Sequence, residues 1–164
     1  MILIPKFKNM IEVGGSLSLV LIDTDTDTIR KEVYVPNLVV TLGKTFIASR
    51  MVGTATAIMS HMGIGIVGTT EVVANSALAS ELVIGTNNYS RAATTTATNT
   101  NNIVTYSANF AANNPNAPTL GVGLLEAGIF NASSAGIMLC RTTFPIVTKL
   151  PADALTVTWT ITIQ

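Results

Sequence analysis

The most constraining feature of the sequence is a strict alternation of side-chain types near its C-terminus. Residues 155–163 read LTVTWTITI, so threonines occupy the even positions and apolar residues occupy the odd positions. Successive side chains of a β-strand point to opposite faces. We therefore predict a strand whose apolar side, which includes Trp159, lies in the core beneath a face covered by threonine.

Other segments indicate further strands. The runs 124–131 and 137–147 flank a turn of small residues at 132–136, which predicts a hairpin. A second predicted hairpin joins two short β-branched or alternating runs through a polar connection at 23–28. The two strands of this hairpin cover residues 16–22 and 29–35. Two further strands are predicted over residues 56–66 and 103–110.

Helical spacing of apolar residues occurs in two places. Residues 37–52 form the first predicted helix, and residues 69–82, with a polar start and Glu71 near the positive end, form the second. Residues 85–102 are rich in Thr, Asn and Ala and are predicted to be a loop or a poorly defined edge. The run NNPNAP at 113–118 is predicted to be an irregular break.

The chain length fits a single domain. The 164 residues, 17.2 kDa, suffice for one hydrophobic core and show no strong internal repeat. We predict a mainly β fold over residues 16–164, an antiparallel β-sandwich or barrel-like sheet with one or two short helices. Residues 1–15 are predicted to be an N-terminal arm that either reaches a neighbouring subunit or frays.

The scarcity of charge indicates what this protein contacts. Charged residues make up 11% of the chain, with nine basic residues against nine acidic ones, whereas soluble domains carry about a quarter. Without net positive charge or a basic cluster, a nucleic-acid binder is disfavoured. A β-rich chain with few charges has poorly protected strand edges, so we expect contacts with copies of itself, in a symmetric homo-oligomer, or with other subunits.

Compartment signals are weak. The N-terminus places apolar residues before its first lysines, the reverse of a secretory signal. The uncharged window 51–70 has transmembrane length, but its Ser, Thr, His and Gly content argues against a lipid-facing helix. Cys140 is the single cysteine, which excludes an internal disulfide. We therefore predict a protein without a membrane partner.

A glycine pattern at 63–68 matches a nucleotide-binding fingerprint. Gly63, Gly65 and Gly68 have the GxGxxG spacing, which requires a βαβ unit and an acidic residue after the next strand. Glu81 has a suitable offset but lies inside the second predicted helix. The surrounding hairpins favour a glycine-rich turn instead, and we predict no cofactor.

Three aspartates in the 23–28 connection are the only metal candidates. Asp23, Asp25 and Asp27 alternate, so an extended loop would place their carboxylates on one side. An EF-hand loop would need a glycine and a glutamate where this chain has Thr28 and Tyr34. A solvated hairpin tip is favoured over a metal site.

Nucleophilic catalysis would have to use His61, the only histidine. Cys140 lies in an apolar run typical of a half-buried strand, and buried cysteines are usually inert. The chain has no GxSxG elbow and no evident carboxylate pair for acid–base chemistry. We predict that the protein is not an enzyme.

The 124–147 hairpin carries a recognisable pattern. EAGIFN at 126–131 is followed by Gly136, Arg141 and FP at 144–145. The segments around it are MSHMGIG at 59–65, SEL at 80–82, Arg91 and TWTI at 158–161. This ordered set, over roughly residues 37–163, resembles the N-terminal attachment domain of phage tail-fibre proteins and a group of small virion proteins of tailed bacteriophages.

The resemblance implies a non-enzymatic structural subunit of a bacteriophage virion, assembled in the host cytoplasm. A tail, neck, baseplate or fibre-attachment position is expected, with copies of itself and other virion proteins as partners. Ala127 departs from the branched apolar residue usual in that family, and the chain ends without a fibre shaft. A capsid decoration (cement) protein is the alternative, and a metal- or carbohydrate-binding module using the aspartate loop is a distant third.

Contact residues are expected on the same elements. Glu126 either contacts a partner or accepts backbone hydrogen bonds, or it lies exposed at a strand end. Arg141 is the only charge between Glu126 and Lys149, so an ion pair across the hairpin is expected, worth at most about 1 kcal/mol if exposed. The residues predicted to make assembly or hairpin contacts are Glu126, Phe130, Arg141 and Trp159.

Overall fold

The structure is a computed structural model that describes residues 11–54, 56–82, 90–112 and 121–164. In these residues the chain forms nine β-strands and one α-helix. In chain order they are β1 (Val13–Asp23), β2 (Thr28–Pro36), β3 (Leu38–Val39), α1 (Thr41–Met51), β4 (His61–Gly65), β5 (Ala92–Thr100), β6 (Ile103–Phe110), β7 (Val122–Phe130), β8 (Met138–Lys149) and β9 (Asp153–Ile163).

The strands form one antiparallel sheet that is nearly closed into a barrel. Its strand order is β2-β1-β9-β6-β5-β4-β7-β8-β3. The closure comes from β2 and β3, which follow each other in the chain but lie at opposite ends of the sheet, where they pair with β1 and β8. Between β2 and β8, Lys31 Nζ donates to the Ile146 carbonyl at 2.6 Å. The predicted mainly β, antiparallel, barrel-like fold is confirmed.

Strand β9 has the predicted two-sided character. Leu155, Val157, Trp159 and Ile161 are buried, whereas the threonines between them are half-buried. β9 lies between β1 and β6, so its apolar side faces the barrel interior from the middle of the sheet. The core therefore forms around the segment in which the alternation is strongest.

Both predicted hairpins are present. β1 and β2 pair through the polar connection, and β7 and β8 pair around the small-residue turn. Strand β6 also matches its predicted range, 103–110. The predicted strand 56–66 is shorter, since β4 covers only His61–Gly65.

Residues 85–102 were predicted to be a loop or a poorly defined edge, and the loop alternative is wrong for residues 92–100, which form a strand that pairs with β4 only at Ala92 and Ala93. β5 occupies Ala92–Thr100 and pairs with β6 through a two-residue connection, Asn101-Asn102. Asn101 has a positive φ of 56°, a conformation that asparagine tolerates and that tight hairpins require. Residues 85–89 of that prediction, and the break at 113–118, lie outside the described residues.

Only the first of the two predicted helices is present in the described residues. The first is present but begins at Thr41, because Leu38–Val39 pairs with β8. Gly43 allows α1 to pack closely against β8, since a Cβ at this position would lie 2.8 Å from the Leu139 carbonyl carbon. The second predicted helix, 69–82, is wrong: these residues form turns and bends.

The boundary of the predicted N-terminal arm also changes. β1 begins at Val13, so residues 13–15 belong to the barrel rather than to an arm. Just before it, Glu12 and Gln164 exchange two backbone hydrogen bonds of 2.7 Å. Residues 1–10 of the predicted arm lie outside the described residues.

Candidate functional site

An irregular segment, residues 66–82, which we call the strap, lies over the outer surface of β4, β7 and β8. Backbone hydrogen bonds attach its two ends to each other and to β4: Ile66 N–H donates to Ser80 O at 3.1 Å, and Leu82 N–H donates to Ile64 O at 2.9 Å. Its middle is attached to α1, where Thr41 N–H donates to Val73 O at 2.8 Å. The strap occupies the residues predicted to be the second helix.

The strap explains why these strands are buried on both faces. In β7 every residue from Glu126 to Phe130 is buried, and in β4 every residue from Met62 to Gly65. One face meets the barrel core, and the other meets the strap, whose Leu78 joins a small apolar cluster with Val40, Phe130 and Met138. The strap therefore forms a second layer on this side of the barrel.

Glycines on the outward face make room for the strap. Gly63 pairs with Gly128 and Gly65 pairs with Glu126 across β4 and β7. A Cβ on Gly63 would lie 2.8 Å from Glu81 Oε1, and one on Gly65 would lie 2.6 Å from Ser80 O. Two of the three glycines of the nucleotide-like pattern thus serve close packing, and the chain that follows them is the strap rather than a phosphate-binding helix.

The expected pair between Glu126 and Arg141 is present, and it is buried. Arg141 Nε and Nη2 lie 2.9 and 2.8 Å from Glu126 Oε2, and both side chains are at most 1% exposed. The two carboxylate oxygens of Glu126 also accept the backbone N–H groups of Ala79 and Ser80, at 2.9 and 2.7 Å. Of the roles considered for Glu126, accepting backbone hydrogen bonds is the one observed.

Arg141 extends the same attachment to the beginning of the strap. Its Nη2 donates to the Thr69 carbonyl at 2.9 Å, and its Nη1 donates to Asn75 Oδ1 at 3.1 Å. Nearby, the Thr143 hydroxyl donates to Glu71 Oε2 at 2.8 Å. The guanidinium group therefore has an acceptor at each nitrogen, as a buried cation requires.

A second ion pair holds the other end of the strap. Arg91 and Glu81 form a two-point contact, with Nε–Oε1 at 2.6 Å and Nη2–Oε2 at 3.0 Å. Arg91 Nη1 donates to the carbonyls of Ala132 and Ala135, and its guanidinium lies 3.4 Å from the centre of the Phe130 ring. Phe130 thus makes a cation–π contact inside the chain.

These four charged residues, Glu81, Arg91, Glu126 and Arg141, form what we call the clamp. From residue 72 to residue 148 they are the only charged residues in the sequence, two of each sign. The Glu126–Arg141 pair was predicted from the sequence, whereas Glu81 and Arg91 belong to the phage-like pattern but were not predicted to pair. The available signal was their isolation, because a lone charge in a long uncharged stretch of a buried sheet requires a partner.

The clamp also explains why the strap is not helical. Glu126 takes the backbone N–H groups of Ala79 and Ser80, and Arg141 takes the Thr69 carbonyl. A helix would need those groups for its own ladder. Tertiary hydrogen bonds to buried charges therefore override the local helical pattern.

A cavity of about 240 Å³ lies beside the clamp, lined by Glu81, Leu82, Ser90, Arg91 and Ser133–Ala135. Its two charged groups are already bound to each other, and Arg91 also donates to two carbonyls. The side-chain contacts of Glu81 and Arg91 described above are thus contacts within the chain, and they hold the strap to the β7–β8 turn.

His61 and Cys140, the two residues considered for catalysis, have different surroundings. His61 Nδ1 is 2.9 Å from the Ser60 hydroxyl, and burial, together with the nearby Arg91 charge, lowers the pKa of the imidazole. Cys140 is fully buried in the barrel core, and burial raises the pKa of its thiol well above the usual value. A protonated, inaccessible thiol is a poor nucleophile.

The aspartate connection is built as a turn. Asp23 Oδ1 accepts the backbone N–H groups of Asp25 and Thr26, at 3.0 and 3.3 Å. Arg30 lies 3.9 Å from the other Asp23 oxygen and 3.0 Å from the buried Asp153. No group of three potential metal-ligating acidic, His or Cys side chains occurs in the described part of the chain.

The predicted contact residues all point into the chain. Trp159 and Glu126 are fully buried, Phe130 and Arg141 are 1% exposed, and the partners reported above for Glu126, Phe130 and Arg141 are intramolecular. A neighbouring subunit would have to use other residues. The exposed large apolar side chains include Ile11, Tyr34, Met51, Val52, Ile58 and Ile146.

Comparison with known proteins finds no family model that matches the chain and no match among curated proteins. None of the helical residues that the structure describes forms a helix both long and apolar enough to cross a bilayer.

Proposed function

We propose that this protein is a non-enzymatic structural subunit of a tailed-bacteriophage virion, in a tail, neck, baseplate or fibre-attachment position. The observation that carries the proposal is that most of the sequence pattern resembling phage attachment domains forms one spatial unit. Its glycines, its two ion pairs and Phe130 meet where the strap crosses β4, β7 and β8.

The chemistry of that unit supports a structural role. All four charges of the clamp are held by groups of the same chain, so the pattern specifies a fold. Breaking a buried ion pair leaves an uncompensated charge, so conformations in which these pairs are broken are disfavoured, a property useful to a subunit that has to fit its neighbours.

The surface that remains supports assembly through uncharged contacts. Residues 92–125 contain no charge at all, and most of β5 is exposed. Threonine and asparagine predominate on this strand, in the run AATTTATNT. Such a surface has few charges to oppose pairing with another protein. This suits a subunit whose surface is covered by its neighbours in a particle.

Quantitative mass spectrometry of purified phage particles, with the major capsid protein as internal standard, tests the proposal. A copy number from a few to a few dozen per particle is expected. A count comparable to the capsid protein would instead favour the alternative, a capsid decoration protein. Absence from the particle would overturn both.

A further inference from the structure

An apolar groove lies where the chain enters the barrel. One wall is formed by residues 11–13, and the other by one face of α1. The groove has a volume of about 460 Å³, and its α1 wall consists of Lys44, Ile47, Ala48 and Met51.

The groove has the composition of a binding surface. Ile11 is 68% exposed and Met51 is 77% exposed, and Val52, next to it, is exposed as well. Clusters of exposed apolar side chains beside a concave surface are typical of interaction sites. Two charged residues, Glu12 and Lys44, line the groove.

The sequence that precedes Ile11 matches this groove. Residues 1–10 read MILIPKFKNM, in which six residues are apolar and the two charges are lysines. Pro5 disfavours a helix in the middle of the segment, and an extended chain of ten residues reaches ~33 Å. The segment could therefore fill an apolar groove and place a lysine near Glu12.

The direction of the chain favours a groove on another molecule. Glu12 is paired with Gln164 through two backbone hydrogen bonds, so the chain is still in the sheet at that point. The groove is lined by residues 11–13 themselves. A segment that continues from residue 11 would have to reverse direction to lie in its own groove, whereas the groove of a second copy sets no such condition.

We propose that the groove between residues 11–13 and α1 binds the N-terminal segment, residues 1–10, of a second copy of this protein. Each copy then contributes one segment and receives one, which couples neighbouring subunits through apolar contact. The inference deepens the self-assembly part of the proposed function. It is measured on purified protein, so it can fail while the virion assignment stands, and the reverse also holds.

Site-directed disulfide formation tests which molecule supplies the segment. Full-length protein carrying Ile4→Cys is mixed with full-length protein carrying Ala48→Cys under mild oxidation, and the products are separated without reductant. Cys140 is buried and does not compete. A covalent heterodimer is expected. Tyr34→Cys, at an exposed position on β2, replaces Ala48→Cys in the control and should give no heterodimer with Ile4→Cys.

Association measurements give a second readout. Ala48→Glu places a charge in the groove at an exposed helix position, and we expect about tenfold weaker self-association in sedimentation. Thr45→Glu, also exposed on α1 but outside the groove, should leave association unchanged. Failure of the heterodimer to form, an intramolecular disulfide in the Ile4→Cys/Ala48→Cys double variant, or equal association of both glutamate variants would each overturn the proposal.

Discussion

Glu126 and Arg141 form their ion pair diagonally across the β7–β8 hairpin. Glu126 is paired with Thr143 and Arg141 with Gly128, so the charged residues are offset by two positions, yet Nε and Oε2 lie 2.9 Å apart. Gly128, opposite Arg141, lies beneath the strap, since a Cβ there would be 3.0 Å from Leu78 Cδ2. The ion pair and this glycine thus lie on the same outward face of the hairpin, under the strap.

Removing one partner of this pair should destabilise the protein strongly. Arg141→Met leaves the Glu126 carboxylate buried without a cation, and we expect a loss of about 3 to 5 kcal/mol in the free energy of unfolding. Urea unfolding measures it. The double variant Glu126→Gln/Arg141→Met should lose clearly less than the sum of the single variants, whereas additive losses would show that the pair is not coupled. Glu32→Gln, exposed on β2, serves as the control and should change stability by less than about 0.5 kcal/mol.

The close approach of the strap predicts a difference between two glycines. Gly65→Ala would place a Cβ 2.5 Å from Glu126 Oε1 and 2.6 Å from Ser80 O, so either the strap or the carboxylate has to move. We expect a loss of roughly 1 to 3 kcal/mol and faster proteolysis within residues 66–82. Gly14→Ala, in β1 with no atom within 4 Å of the new Cβ, should leave the melting temperature and the cleavage pattern nearly unchanged.

The thiol of Cys140 should be unreactive in the folded protein. Burial raises its pKa and shields it from solvent, so a thiol reagent at pH 8 should label it only after unfolding in urea. An added cysteine at Tyr34, which is exposed, provides the reference rate under the same conditions. Rapid labelling of native Cys140 would contradict its position in the core.

The free energy of unfolding should decrease as the pH is lowered, because His61 titrates. Burial and the Arg91 charge lower the pKa of the folded imidazole below the unfolded value of about 6.5. Below pH 6.5 the unfolded chain therefore binds a proton before the folded chain does, and stability declines until the folded pKa is passed. Melting temperatures between pH 5 and 8 measure the effect. His61→Gln should flatten this part of the profile, and an unchanged profile would assign the dependence to another group.

Calcium should not raise the melting temperature. Asp23 already accepts two backbone N–H groups and lies near Arg30, so the aspartate connection is completed without a cation. A ligand that binds only the folded state has to increase the melting temperature as its concentration rises. A saturable increase with calcium, lost in Asp25→Asn, would restore the aspartate connection as a metal site.

The parts of the fold predicted correctly from sequence are those in which the local pattern and the tertiary environment agree. The alternation around Trp159 reflects a strand with one face buried in the core and the other face half-buried. The 92–100 strand was missed because it is mostly exposed, so its residues carry no apolar alternation, and its best signal was the Asn101-Asn102 turn.

The strap was mispredicted for the opposite reason, because its conformation is decided by distant residues. Nothing near Ala79 or Ser80 in the sequence shows that Glu126 accepts their N–H groups. The isolation of Glu81, Arg91, Glu126 and Arg141 in an uncharged stretch indicated that they needed partners. Which pairs form depends on strand register, and register follows from the whole barrel.

The position of β9 in the sheet determines when the protein can fold during its synthesis. Of the strands that the structure describes, β9 is the last to be translated, yet it lies between β1, the first of them, and β6. A nascent chain that lacks it leaves a gap in the middle of the sheet and exposes the apolar sides of both neighbours. The barrel therefore forms only after β9 has been translated, and chains cut short before β9 cannot complete the sheet.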